Sequence, residues 1–290
     1  MNVLSVLNKK GGVGKTTIAT NMAQGLAALR KRVLIVDNDE QHNLTSSVGL
    51  TPKDYTTSLA EAYKAAPRDL ERVVSESIYQ SFMEGLDVIP GSKALESLDP
   101  PKTALLSILQ TNVVKSGRYD VVIIDNAPSV GAKTRAAIHC SDFFVLPVQL
   151  RQFAIDGLVE LYNSLVSEYR VDPLKIFIVR NMYREQDSLC KDASGALAMR
   201  YPDNLMKTII PDNVVFEKMV RSNKTMFYSQ TASKGTLQFQ RLICEIFQLD
   251  EKLMLDIFRQ ELIKYRADVA RDNLKRAQII KLLPKDKEVA

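Results

Sequence analysis

Two lysines, three glycines and two threonines fall within eight residues, Lys10-Gly11-Gly12-Val13-Gly14-Lys15-Thr16-Thr17. Glycines let a backbone curl so that successive N–H groups converge on one point, and phosphate oxygens are what such a point binds. In that arrangement Lys15 reaches the β- and γ-phosphates of a nucleotide and the Thr16 hydroxyl completes a Mg²⁺ shell. The common pattern has a glycine at position 9, where this chain has Lys9, and position 10 carries an additional lysine. The apolar stretch Val3–Leu7 precedes the run, and Ile18, Met22, Leu26 and Leu29 follow it at helical spacing. Strand, glycine loop and helix form the context that makes such a match a phosphate site, because the helix N-terminus adds partial positive charge.

Two further segments end apolar strands in aspartate: Val33-Leu34-Ile35-Val36-Asp37-Asn38-Asp39 and Val121-Val122-Ile123-Ile124-Asp125. Ligands of open α/β sheets bind at the carboxyl ends of the strands. Asp125, after four apolar residues, is placed to hold a metal-bound water. Asp37 is expected beside the metal. Asp39 lies beyond it, where a carboxylate aligns an attacking water and accepts its proton late. For each aspartate taken singly, a loop or cap position is the competing assignment.

Seven buried strands are predicted to carry these groups: Val3–Leu7, Val33–Asp37, Leu86–Pro90, Val121–Asp125, Phe143–Pro147, Lys175–Arg180 and Met206–Ile210. Between them, helices are expected near 15–30, 58–66, 102–116, 130–139, 153–169, 186–200 and 234–248. Alternation of apolar runs with helical patterns predicts an α/β fold, a mostly parallel twisted sheet with helices on both faces. Residues 1–249 are read as one domain and 250–290 as a C-terminal helical extension with a basic tail. In the extension Met254, Phe258, Leu262, Tyr265 and Val269 recur at helical spacing. Its options are a helix packed on the core, a contact with a partner or DNA, and a membrane-surface helix.

The chain has 290 residues, a net charge of +5, three cysteines and two histidines. No apolar run reaches the roughly 18 residues of a membrane span. Because the chain opens into a strand, no signal or transit segment is expected. Cys140, Cys190 and Cys244 read as reduced thiols of a cytosolic protein, and His42 and His139 are too distant from each other to form a metal cluster. The positive charge tilts weakly toward a polyanionic partner.

With these pieces assembled, the chain resembles the ParA/Soj/MinD family of deviant-Walker ATPases over roughly residues 1–248. The resemblance rests on 8–17, on Val36-Asp37-Asn38-Asp39-Glu40-Gln41-His42-Asn43 and on 119–128. It is extended by Leu146-Pro147-Val148-Gln149, Phe153–Leu158, 209–214 and Ser233-Lys234-Gly235. It implies ATP and Mg²⁺ as cofactors and a homodimer that encloses two ATP molecules. Lys10 would cross the dimer interface to the partner's ATP, Lys15 would hold ATP in its own chain, and Thr16 would ligate Mg²⁺. Asp39 would be tied to hydrolysis, and Asn181, Pro211 and Asn213 would contact the adenine.

The DNA-partitioning branch implies a slow ATPase, stimulated by a ParB-like partner, whose dimer binds double-stranded DNA non-specifically. It also implies a cytoplasmic, nucleoid-associated protein. Arg200, Arg221, Lys224, Lys234 and Arg241 fall near the family's basic surface, although each also suits an ordinary solvated charge. The alternatives are a MinD-like membrane-associated ATPase and one that positions a protein cargo. Membrane binding is not expected, since the tail carries no large aromatic residue. A reductase of the nitrogenase iron-protein type would need a second cysteine suitably placed after Cys140. A dethiobiotin-synthetase-like enzyme would need a small-molecule pocket. The chain departs from the family pattern at Glu40, where proline is usual, and at Asn126-Ala127 before Pro128.

Overall fold

The computed structural model describes residues 1–115, 117–212, 227, 234–260, 263 and 264. Their centre is an eight-stranded sheet. The strands are β1 (Asn2–Val6), β2 (Val33–Asn38), β3 (Tyr79–Gln80), β4 (Leu86–Ile89), β5 (Val121–Asn126), β6 (Phe143–Gln149), β7 (Ile176–Tyr183) and β8 (Leu205–Pro211). Their order is β3-β4-β2-β5-β1-β6-β7-β8, and only β3 runs antiparallel, against β4. All seven expected strands form, with ends shifted by three residues at most. The two-residue β3 is an addition, too short to have left a pattern.

The central strands bury both faces. On β2, Val33 and Ile35 join one apolar cluster while Leu34 and Val36 join the other. This follows from the two-residue period of a strand and explains its unbroken apolar composition. Helix α1 (Lys15–Ala28) lies on the first face. Its Ile18, Met22 and Leu26 pack with Phe239, Leu242 and Ile243 of the C-terminal helix Lys234–Ile246. A Cβ on Gly25 would sit 2.3 Å from Ile243 Cδ1, so that glycine lets the two helices approach closely.

Between β2 and β4 run α2 (Asn43–Ser47), α3 (Leu59–Lys64) and α4 (Leu70–Glu76), of which only α3 was expected. A capping box starts α3: Ser58 Oγ accepts from Ala60 N–H, and Glu61 Oε2 accepts from Ser58 N–H at 2.8 Å. The helix expected over 102–116 is broken into α5 (Ala104–Leu109) and α6 (Asn112–Lys115). Helices α3 and α5, with α7 (Ala132–Cys140), cover the second face. Helices α8 (Gln152–Ser167) and α9 (Ser188–Arg200) cover β6 and β7, and Lys234–Ile246 is α10. Residues 251–260 are helical, and Phe258 is buried in the first cluster, stacked 5.7 Å from Phe227. Of the helix expected after 250, that part packs on the core. Among the described residues no helix is long and apolar enough to cross a membrane.

Candidate active site

Strand β1 ends at Val6 and α1 begins at Lys15, so the glycine run leaves the carboxyl edge of the sheet between them. Its neighbours there are β5 and β6, and the chain turns to opposite sides after β1 and β5. That is the crevice in which doubly wound sheets take ligands. Asn8 shapes the loop's first half by donating to Pro147 O at 2.7 Å and accepting from Lys10 N–H at 2.8 Å. Gly14, the N-cap of α1, has φ of 87°, and Gly12 has φ of 74°. Left-handed backbone of this kind disfavours any side chain. A Cβ on Gly14 would also lie 2.2 Å from Asn181 Nδ2, which donates to Val13 O at 2.7 Å.

The loop carries the two lysines differently. Lys15 is buried and its ammonium bonds Lys10 O at 3.2 Å; burial lowers its pKa against the opposing pull of Asp125 and Asp39. Lys10 is partly exposed, and among the described residues its ammonium has no ion pair. Lys9, by contrast, pairs with Glu160 at 2.5 Å.

Thr16 and Asp125 meet: the hydroxyl donates to Asp125 Oδ2 at 2.6 Å. Asp125 Oδ1 is buried with no hydrogen-bond partner. Burial, and then the charge of Asp37, pushes the Asp125 carboxyl up to about 8. A buried acceptor left open beside a hydroxyl is the signature of a site that expects a cation. Among the described residues no trio of His, Cys, Asp or Glu forms a metal cage. The hydroxyl of Thr16 and the open carboxylate oxygen of Asp125 fit Mg²⁺, which is commonly held by one or two protein oxygens with waters and substrate phosphates.

Asp37, expected beside the metal, lies opposite Asp125 in register and makes hydrogen bonds of its own. It is fully buried, and its Oδ2 accepts from Thr45 N–H at 2.8 Å and from Thr45 Oγ1–H at 2.6 Å. Its Oδ1 accepts from Asp39 N–H at 3.3 Å. The carboxylate thus anchors the start of α2 and the turn after β2, and burial pushes its pKa up to about 7. Asp39 is buried at the loop's edge, with Oδ1 accepting from Gln41 N–H at 3.0 Å.

Sequence reasoning missed Thr45 and the buried amide Asn38, which bonds Asn126, already noted as a departure from the family pattern, at 2.9 Å. Two asparagines ending apolar strands were the available signal.

Residues 1–172 match the AAA_31 family model, an AAA domain. The sporulation initiation inhibitor protein Soj of Bacillus subtilis (strain 168) is 30% identical over 251 residues, covering 84% of this chain and 97% of Soj. The chain belongs to the ParA/Soj/MinD family of P-loop ATPases. The chromosome partitioning protein ParA of Caulobacter vibrioides (strain NA1000 / CB15N) is 28% identical over 255 residues, 85% of this chain and 94% of that protein. The crystal structure of the cell division ATPase MinD from Pyrococcus furiosus shares the fold, with a TM-score of 0.69 at 19% identity. It covers 86% of this chain and 99% of MinD. As a ParA/Soj/MinD ATPase the protein takes ATP and Mg²⁺.

Outside the phosphate loop the expected contacts are scattered. Asn181 and Pro211 lie at the carboxyl ends of neighbouring β7 and β8, on the same edge as the loop. Two of the basic residues considered for DNA are already paired, Lys234 with Glu185 at 3.5 Å and Arg241 with Glu251 at 2.9 Å. The Arg200 guanidinium lies 5.6 Å from the Tyr201 ring centroid. Asn213, Arg221 and Lys224 lie outside the described residues.

Proposed function

We propose that this ParA/Soj/MinD ATPase dimerises on ATP, binds duplex DNA without sequence preference and is released when hydrolysis, stimulated by a ParB-like partner, ends that state. The observation that carries the reading is Lys10. It is a cation on the phosphate loop, without an ion pair in its own chain among the described residues, next to a lysine that is folded into the loop. Charge held in that way complements phosphate brought by a second copy, so association follows nucleotide state.

Within one protomer, Lys15 and the N–H groups of 11–17 bind the phosphates, and Thr16 with Asp125 holds Mg²⁺. Bound there, Mg²⁺ would supply positive charge against that developing on the phosphoryl oxygens. Asp39 orients the attacking water and takes its proton. Asn181 and Pro211, at the carboxyl ends of β7 and β8, flank the base. Asp37 serves the site by holding the turn that carries Asp39. DNA binding rests on phosphate contacts, which weaken steeply as salt rises.

Sedimentation velocity with a non-hydrolysable ATP analogue tests dimerisation: wild type should double in mass and Lys10→Ala should stay monomeric. Co-sedimentation with bare duplex DNA should require ATP, fail with ADP and decline with salt. A monomer in the presence of analogue, or binding to anionic liposomes in place of DNA, would refute this assignment. Asp39→Ala should remain on DNA with uncleaved ATP.

A further inference from the structure

Asp39 is flanked by two residues that grip the same neighbour. On one side, Asn38 Nδ2 donates to the backbone carbonyl of Lys133 at 3.0 Å. On the other, Glu40 Oε2 accepts from the Lys133 ammonium at 2.9 Å. Lys133 stands in the first turn of α7, directly after the loop that follows Asp125. It is itself fixed, because its ammonium also donates to Leu95 O at 2.7 Å. Asn38 is held from two other directions, by Asn126 at 2.9 Å and by the Tyr63 hydroxyl at 3.0 Å. The ion pair is largely shielded, with side-chain exposures of 13% for Lys133 and 28% for Glu40. Such a pair resists salt better than a solvated one.

Asp39 has weaker means of its own. Its carboxylate is tied within its own turn, to Gln41 N–H, and its carbonyl accepts from His42 N–H at 3.1 Å. Those bonds shape the turn, and its one tie toward the metal side is the long 3.3 Å bond from Asp39 N–H to Asp37 Oδ1, which fixes the backbone at Asp39 but not the turn beyond it. An aligned water must be placed within about half an ångström, and an error of 1 Å costs up to about 100-fold in rate. Residues on either side of Asp39 bonding one rigid neighbour supply that location.

We propose that Lys133, acting through Glu40 and Asn38, is a positioning residue for Asp39, and that the Glu40–Lys133 pair sets the hydrolysis rate without contributing to ATP affinity. The inference rests on the assignment of Asp39 to hydrolysis. Glu40→Gln and Lys133→Met each keep side-chain shape while removing the charge pair, and both leave the Lys133 carbonyl for Asn38. Each should lower kcat about tenfold, with KM for MgATP within about twofold of wild type. The double variant should be no slower than Lys133→Met alone, because that change already removes the pair together with the bond to Leu95 O. Lys133→Arg should recover most of the rate. Amide hydrogen exchange at Gln41 and His42 should quicken in both single variants without nucleotide.

Wild-type kcat in Glu40→Gln, an additive double variant, KM rising in step with the loss of kcat, or unchanged exchange at Gln41 and His42 would each overturn the proposal. If the wild-type protein turned over no ATP, the ATPase reading would fail instead, and exchange alone would decide whether the clamp exists.

Discussion

Replacing Gly14 by alanine tests how the phosphate loop is built, because three neighbouring glycines offer graded environments. At Gly14 the backbone is left-handed, with φ of 87°, and the new methyl would lie 2.2 Å from Asn181 Nδ2. At Gly12 φ is 74°, but nothing lies within 4 Å of the added atom. At Gly11 the conformation is not left-handed and the nearest atom, Pro128 Cβ, is 4.0 Å away. Left-handed backbone costs an alanine roughly 1 kcal/mol or slightly more. Displacing the Asn181 amide breaks its 2.7 Å bond to Val13 O and strands a buried carbonyl, adding about 2 kcal/mol.

The expected order is therefore about 3 kcal/mol for Gly14→Ala, about 1 for Gly12→Ala and close to zero for Gly11→Ala. At roughly 2 °C per kcal/mol for a chain of this size, the apo protein should melt about 6 °C, about 2 °C and under about 1 °C lower. Circular dichroism melts without nucleotide read this directly, since phosphate contacts are then absent from the comparison. The double variant Gly14→Ala with Asn181→Ala isolates the steric part: in that background the alanine should cost only about 1 kcal/mol, as at Gly12. Equal melting of Gly14→Ala and Gly12→Ala, or a Gly14 penalty undiminished by Asn181→Ala, would refute the claim that Asn181 wedges the loop.

Lys15→Ala should weaken ATP binding by about 100-fold or more, while Lys10→Ala should leave the monomer's affinity within a few-fold; fluorescence titration with an ATP analogue distinguishes them. Arg180→Met should destabilise the fold by about 2 kcal/mol, measured by urea unfolding. Its guanidinium holds Ser194 Oγ at 2.9 Å and the carbonyls of Met206 and Lys207 at 2.8 and 3.1 Å across an irregular stretch of the β7–β8 pairing. The three cysteines should resist a thiol reagent at pH 8 until the protein is denatured. All three are buried, and burial pushes the Cys140 thiol up to about 12 and the Cys244 thiol up to about 11.

Chemistry confined to one short segment was legible in the chain itself. Lys10 through Thr17 span one loop and the first residues of the helix it opens, so their spacing already dictates what they can surround. The strands that carry Asp37 and Asp125 were equally plain, because a strand buried on both faces has to be apolar along its whole length.

Tertiary structure alone decided which aspartate faces which partner. Asp37 and Asp125 end paired strands and sit opposite each other in register, yet Asp125 bonds Thr16 while Asp37 bonds Thr45 on a helix too short to show a period. Glu40 and Lys133 are 93 positions apart, so nothing local announces their pairing. Glu40 and Asn126, the two departures from the family pattern, both border Asp39's surroundings through Lys133 and Asn38. A hydrogen bond between distant segments depends on the sheet order that brings β2 and β5 side by side, and that order is a property of the packed whole.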